Sequence, residues 1–520
     1  MKNMKRLNNI LRYALFGAAG VFLLASCSDK AMDKVNQNPN NPSDVPSQFT
    51  LLELAAATAT HGLGSDLSLY ASVYMELEAG VHGQMFNAEI RSGEPTTSAT
   101  YNNNWGSLYT NINNAKDIIA KCVTGGSESG NTRTLAIAQT LEAINLAQLT
   151  NLFGDVPYSQ TSIYDENGMP VYPQPVIDKQ EVLYASIFKL LDDAEANFNA
   201  TPSADYTAGP GAYDLIYEGS TSLWIKAINA LRARYKMQLL NRSSSVTADL
   251  NQIVQWIDNS FADVSEQMSF NHYDGGNNYN PLFSYMYSRD GLGVSQSFLD
   301  KTVERNDPRL TFVAGYDADS DPEDIFAAPN GEPVEAQFYY DITYASYSHT
   351  AAVHYISYHE LLFIKAEALA RLGQTADAKA TLSEAVAAAY ANLDITNVAG
   401  AQYTGGSPTR LTAELAAGYF EASVSPAFDV NPVKEVMFQK YMACFGANGE
   451  PVVAYNDYRR MKAMGEGDYI TLANHLNPDQ FPLRFTYGND DVLNNTNIKE
   501  AYGDGRYVYS ENVWWAGGTR

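Results

Sequence analysis

Residues Tyr358 to Leu393, YHELLFIKAEALARLGQTADAKATLSEAVAAAYANL, constrain this chain more than any other stretch. Leu362, Ala366 and Leu369 recur at helical spacing and share one face. Beyond Gly373, Leu382, Ala385, Val386, Ala389 and Leu393 form a second apolar face at i, i+3, i+4, i+7 and i+11. Gly373 suits the end of the first helix, and Asp377 places a negative charge near the positive end of the second helix's dipole. Glu367 and Arg371 lie one turn apart and can pair. The small residues Gly373, Ala378 and Ala385 allow the two antiparallel helices to approach closely. A single hairpin cannot bury both of its faces, so other helices must stack against it.

The rest of the chain supplies them. Helical patterns run from Phe49 to Thr60, Leu67 to Glu78, Trp105 to Cys122, Leu135 to Phe153, Gln180 to Phe198, Leu223 to Leu240 and Asp249 to Phe261. After the opening stretch they resume near Leu411 to Phe420, Val433 to Phe445 and Tyr455 to Met464. Gly154 and Pro157 stop the fourth of these. Residues Ser265 to Tyr355 differ, being rich in Gly, Asn, Asp and Tyr with little helical period and a β-like run at Gln337 to Tyr340. From Gly465 onward the chain reads as loop. The spacing of small residues in the opening hairpin resembles a tetratricopeptide (TPR) unit. The pattern predicts a mainly α fold: a TPR-like helical-hairpin scaffold with a long loop-rich insertion on one face, where repeat proteins place binding loops. The helices from Trp105, Leu135, Gln180 and Leu223 are expected to form further hairpins.

The N-terminus sets the compartment. Lys2, Lys5, Arg6 and Arg12 precede an apolar run, Tyr13 to Ala25, that is too short to span a bilayer comfortably. It ends in Leu24-Ala25-Ser26-Cys27, which resembles a bacterial lipobox. The expected organisation is a signal peptide over 1–26, lipidation at Cys27, a flexible Asn/Pro tether over 27–48, and one ligand-binding domain over 49–520. The formal net charge of −25 argues against nucleic acid and against adhesion to anionic lipid. With Cys27 acylated, Cys122 and Cys444 remain, both on predicted helices. Two buried free thiols fit that placement better than a disulfide.

Asn36 to Pro42 (NQNPNNP), Trp105 to Ile119, Phe153 to Tyr158 (FGDVPY), Leu231 to Tyr235 (LRARY), Asp307 to Leu310 (DPRL), Asp457 to Arg460 (DYRR) and Pro482 to Arg484 (PLR) follow one another along the chain. With the lipobox, the tether and a terminal Trp514-Trp515 pair, this set resembles the SusD/RagB lipoproteins of the Bacteroidetes outer membrane, on the SusD-like side. Val453, Ala454 and Tyr455 stand where the family often has Glu-Ala-Trp. Tyr487, Gly488, Asn489 and Asp490 stand where it often has Tyr-Pro and then Glu. The resemblance implies a lipid-anchored receptor at the cell surface that binds a nutrient glycan and delivers it to a SusC-like TonB-dependent transporter. It implies no catalysis and no cofactor. Oligopeptide binding, and a TPR assembly role at the transporter without a ligand, are the alternatives.

A glycan receptor needs aromatic faces for sugar stacking and polar groups for hydroxyls. The loop Asn271 to Arg289 offers Tyr273, Tyr279, Tyr285 and Tyr287 among Asp274, Asn277, Asn278 and Arg289. Gln84 to Tyr101 adds Phe86 and Tyr101, and Tyr339 to Tyr347 is a third aromatic stretch. Tyrosines that anchor loops are the competing explanation for all three. Trp105, Trp224 and Trp256 fall on predicted helices and read as core, and the terminal Trp514-Trp515 pair reads as packing. The run Asp317, Asp319, Asp321 and Asp324 fails the EF-hand pattern, with Pro322 where glycine is needed and Ala328 where the closing glutamate belongs. His349, His354 and His359 match no zinc spacing. No G-x-S-x-G elbow, P-loop or C-x-x-C is present.

Overall fold

The computed structural model describes residues 45–92, 101–165, 168–207, 213–313, 324–407, 409–474, 477, 479–503 and 507–520. The signal sequence, Cys27, Asn36 to Pro42, and Asp317, Asp319, Asp321 and Pro322 lie outside them. Residues Ser47 to Arg520 form a compact unit.

That unit begins with α1 (Ser47–Ala57), which runs into a π-type turn over Thr58–Gly64, then α2 (Asp66–Tyr74) and α3 (Gly83–Ile90). Five long helices follow: α4 (Asn102–Cys122), α5 (Thr132–Phe153), α6 (Gln180–Asn199), α7 (Thr221–Gln238) and α8 (Val246–Asp258). Next come α9 (Pro281–Arg289), α10 (Gln296–Glu304) and α11 (Leu310–Val313), then the hairpin α12 (Tyr358–Arg371) and α13 (Thr375–Thr404). The chain closes with α14 (Ala413–Tyr419), α15 (Ser425–Val430), α16 (Pro432–Ala443), α17 (Pro451–Ala463), α18 (Asn489–Asn494) and α19 (Thr496–Tyr502).

Successive helices pack side by side. α4 lies on α5, α5 on α6, α6 on α7, α7 on α8, and α8 on α12, whose partner is α13. The opening hairpin thus continues a row that breaks off at Asp258. Central α5 is buried on every side from Thr134 to Phe153, which explains its lack of a polar stripe. Among the described residues, no helix is long and apolar enough to cross a membrane.

The insertion leaves and re-enters the row at one point. Strand β4 (Met268–Phe270) pairs antiparallel with β6 (Val353–Ile356), with Phe270 opposite Val353. Two shorter pairs are β1 (Ala79–Gly80) on β5 (Leu292–Gly293) and β2 (Val156–Pro157) on β3 (Ile177–Asp178). The insertion is more helical than its sequence suggested. α9 and α10 are nine residues each, too short to show a period, and both start at side-chain caps: Asn280 accepts the Leu282 N–H and Ser295 accepts the Phe298 N–H. Gln337 to Tyr340 is a turn rather than a strand. Phe338 holds a left-handed backbone (φ 54°), its N–H donating to Asp290 Oδ2 at 2.7 Å.

The hairpin itself bears out its sequence with two changes. Ser357 caps α12, its Oγ accepting the Glu360 N–H at 3.1 Å. Gly373 has φ 75° and open space where a Cβ would sit, so it serves the turn and not the close approach; buried Ala378 and Ala385 supply that. The second helix runs past Leu393 to Thr404 and ends at left-handed Gly405. Leu361, Phe363 and Ile364 are fully buried, each contributing about 1.5–3 kcal/mol.

The recurring motifs are the joints of this scaffold. Arg234 of LRARY forks onto Glu360 and donates to the Tyr355 carbonyl, tying α7 to α12. Asp307 and Arg309 of DPRL pair with each other and with Tyr390 and Gln439. Arg460 of DYRR donates to both Glu367 oxygens at 2.7 Å. Arg459 reaches the Leu483 and Asn151 carbonyls. Asp155 of FGDVPY accepts from Lys179, the Gln180 N–H and the Tyr502 hydroxyl. Cys122 and Cys444 are free and buried. Trp105, Trp224 and Trp515 are core residues, while Trp256 and Trp514 are half-buried against it.

Candidate functional site

Tyr279, Phe283 and Tyr287 are spaced by four, and α9 turns that spacing into one stripe. Asn280 fixes where the helix starts. Its Nδ2 donates to the carbonyls of Ala351 (2.8 Å) and Ala447 (2.7 Å), and Pro281 presets the first turn. Phe283 is buried at the centre of the stripe, with ring centroids at 5.0 Å to Tyr279, 5.7 Å to Tyr287, 5.7 Å to His349 and 4.7 Å to Tyr403. Tyr347 stacks on Tyr403 at 6.0 Å. The outer rings stay open: Tyr287 is 71% exposed and Tyr403 is 44% exposed. An aromatic face with a buried phenylalanine behind it is therefore presented to solvent.

Polar groups border this face. The Tyr403 hydroxyl is pushed up by desolvation and by its neighbours Tyr287 and Tyr279, so at neutral pH it is a hydrogen-bond donor. His349 Nδ1 is buried and has no hydrogen-bond partner among the described residues. Gly275, at φ 67°, lies so close to His349 that a Cβ would stand 2.4 Å from ring Cδ2, which seats the loop Asp274–Asn278 against the face. Asp274 shapes that loop. Its Oδ1 accepts the N–H groups of Asn278, Gly276 and Asn277, and these hold its carboxyl below the usual range. The exposed Asn277 and Asn278 side chains lie on the loop's rim, where Asn278 also donates to the His272 carbonyl.

The structure separates the sequence candidates into two groups. Tyr279, Tyr287, Asp274, Asn277 and Asn278 come together at this face. Tyr273 does not: it is buried, packed on Phe270 and bonded to Thr60 Oγ1 at 3.1 Å, an anchor for the loop. Tyr101 is likewise core, stacked on Phe485 at 3.8 Å and bonded to the Tyr74 hydroxyl at 2.6 Å. Tyr285 leans inward onto the core, next to Gly291. Arg289 is exposed at the end of α9, and Phe86 is half-buried on α3 with no ring contact to the face among the described residues. The third stretch divides: Tyr347 joins the face, Tyr344 is buried, and Tyr339 packs with Phe326 and Tyr340 in a separate patch beside the 83% exposed Phe338. His349 and Tyr403 were missed. In sequence His349 is one of three histidines spaced by five that fit no zinc site, and Tyr403 sits at the end of a helix that the apolar period carries no further than Leu393.

The face can stack flat apolar rings and hydrogen-bond their edges. No group of three or more His, Cys, Asp or Glu able to hold a metal ion occurs among the described residues. His354 and His359 are buried structural groups: His354 Nδ1 meets Ser269 Oγ at 2.7 Å, and His359 Nε2 meets Glu450 at 2.9 Å.

Over residues 41–488 the chain matches the model of the SusD-like family, described as starch-binding and associating with the outer membrane. It is similar to a SusD/RagB family protein from Bacteroides thetaiotaomicron, at 38% identity and a TM-score of 0.85, covering 92% of this chain and 100% of that one. A SusD homolog from Bacteroides fragilis shares the fold at 19% identity and a TM-score of 0.69, covering 92% of this chain and 100% of that one. A chitin-binding SusD homolog from Flavobacterium johnsoniae does so at 17% identity and a TM-score of 0.63, covering 91% and 98%. No curated protein matches the chain.

Proposed function

Because the chain belongs to the SusD-like family, whose members are described as starch-binding and associating with the outer membrane, we propose that it is a glycan receptor of that membrane whose binding face is built on Tyr279, Tyr287, Tyr347, His349 and Tyr403. The observation that carries this reading is the exposure of Tyr287 and Tyr403, both packed on buried Phe283. Exposed rings backed by a rigid core lose little freedom on stacking, and their hydroxyls reach the sugar edge. Asn277 and Asn278 supply further hydrogen bonds from the rim. The lipobox supports acylation at Cys27, with residues 27–48 as a tether to the membrane and the remainder as one ligand-binding domain. In this reading the receptor hands its ligand to a SusC-like TonB-dependent transporter and catalyses nothing.

Calorimetric titration with malto- and chito-oligosaccharides, alongside a mixture of oligopeptides, tests the ligand class. A saturable heat from at least one oligosaccharide is expected. Saturation by the peptides alone would transfer the face to oligopeptide binding, and silence from the whole set, with the protein folded, would leave an assembly role at the transporter as the better account.

A further inference from the structure

A second recess lies elsewhere, between α1 with its π-type turn and the first three turns of α4. Its volume is about 520 Å³, within the range of sites that hold small ligands. One wall is Glu53, Ala57 and His61, spaced by four; the other is Asn103, Ser107, Thr110 and Asn114 on the outer stripe of α4. Ser65, Asp66 and Asn102 close one end. From Asn102 to Asn114 the groove follows α4 for about 18 Å at helical rise. It shares no residue with the aromatic face.

The lining decides what fits. Five asparagines, two serines and a threonine line it, some already engaged (Asn111 Nδ2 donates to Asn145 and Asn102 Oδ1 accepts from the Asn489 N–H), and apart from the His61 imidazole no aromatic ring, and no lysine or arginine, is among them. Glu53 and Asp66 would repel an anion, and Asp66 is already engaged by Asn103 Nδ2 at 2.9 Å. Asn104 also lines the groove, and its Oδ1 is buried with no hydrogen-bond partner among the described residues. At Gly106 the lining leaves open space, since a Cβ built there would meet nothing within 4 Å.

We propose that this groove is a second ligand site, taking a neutral polyhydroxylated chain along α4 by amide and hydroxyl contacts without stacking. Such a site would grip an extended oligosaccharide at a point separate from the aromatic face. Being independent of that face, it stands or falls on its own measurement.

Hydrogen–deuterium exchange of the full chain, with maltoheptaose, chitohexaose and, as the anionic comparator, an oligogalacturonate, tests it. One of the two neutral probes should protect the peptides spanning Glu53–His61 and Asn102–Asn114, and the oligogalacturonate should not. Gly106→Gln, whose Cβ enters open space, should weaken that protection at least tenfold in probe concentration; Thr110→Val should weaken it less. Tyr287→Ala should leave it unchanged, which separates this site from the aromatic face. Absence of protection with both neutral probes, equal protection by the oligogalacturonate, or protection that survives Gly106→Gln would each overturn the assignment.

Discussion

Replacing Glu367 by glutamine should loosen the scaffold at a joint, because this carboxylate ties the hairpin to the C-terminal helices. It is fully buried and accepts from Arg460 Nη1 and Nη2 at 2.7 Å and from Arg371 Nε at 2.8 Å. Glutamine keeps the volume but offers one acceptor oxygen and no charge, stranding a guanidinium that has no access to water. Loss of one partner from a buried pair costs about 3–5 kcal/mol. Here Asp457 still holds Arg460 at 3.0 Å and Glu466 still holds Arg371 at 2.6 Å, which places the expected loss near the lower end, about 3 kcal/mol. For a unit of this length the unfolding entropy is about 1 kcal/mol/K, so the melting temperature should fall by about 3 °C.

The pH dependence follows from the same contacts. Burial alone would raise the Glu367 carboxyl, but Arg460 and Arg371 outweigh it and hold it well below the usual range. A depressed carboxyl stabilises the fold above its unfolded value and loses that contribution as pH falls through the folded one. The gap between wild type and Glu367→Gln should therefore be full at pH 7 and begin to narrow only below about pH 4.5, closing further as pH falls. Urea unfolding followed by tryptophan fluorescence at several pH values measures both quantities. A variant within about 0.5 kcal/mol of wild type at pH 7, the range of an ordinary surface change, would refute this account of how α12 is tied to α17.

Other perturbations separate core from site. Tyr101→Ala should cost about 3–5 kcal/mol in urea unfolding, while Tyr101→Phe should leave oligosaccharide affinity unchanged, because the ring is packed on Phe485 and its hydroxyl is spent on Tyr74. Glu78 is raised to about 8 by burial, partly offset by its bond from Thr343. A raised carboxyl gives its full stability below its unfolded value and loses it as pH rises through the folded one. Glu78→Gln should therefore gain on wild type by roughly 1 kcal/mol per pH unit between pH 5 and 8, read from urea midpoints.

The scaffold was legible because its signals are local. Period and small-residue spacing announced α12 and α13, and each long helix from α4 to α8 began within four residues of its expected start. The arginine and aspartate motifs also read correctly as family marks, although only the structure shows that Arg234, Arg309, Arg459 and Arg460 act by pairing across helices. The proposed binding face was half legible. Tyr279 and Tyr287 could be named because they sit in one polar loop-like stretch. Tyr403 could not, since it reaches the face from 116 positions beyond Tyr287 and only packing brings both rings onto Phe283. Tyr101 and Tyr273 misled for the complementary reason: a tyrosine in a polar stretch gives no sign of whether its ring points outward. The groove on α4 was hidden inside a helix whose polar stripe looked like ordinary solvated surface.

The most direct test of the receptor account is calorimetry with an oligosaccharide that binds the wild-type protein, repeated on Tyr287→Ala, Tyr403→Ala and the double variant. Each ring lost from a stacking face should weaken binding by about 1 kcal/mol, roughly fivefold, and the double variant by more than either alone. Melting temperatures should stay within about 1 °C, because both rings are exposed. An unchanged affinity in the double variant would contradict the placement of the ligand on this face.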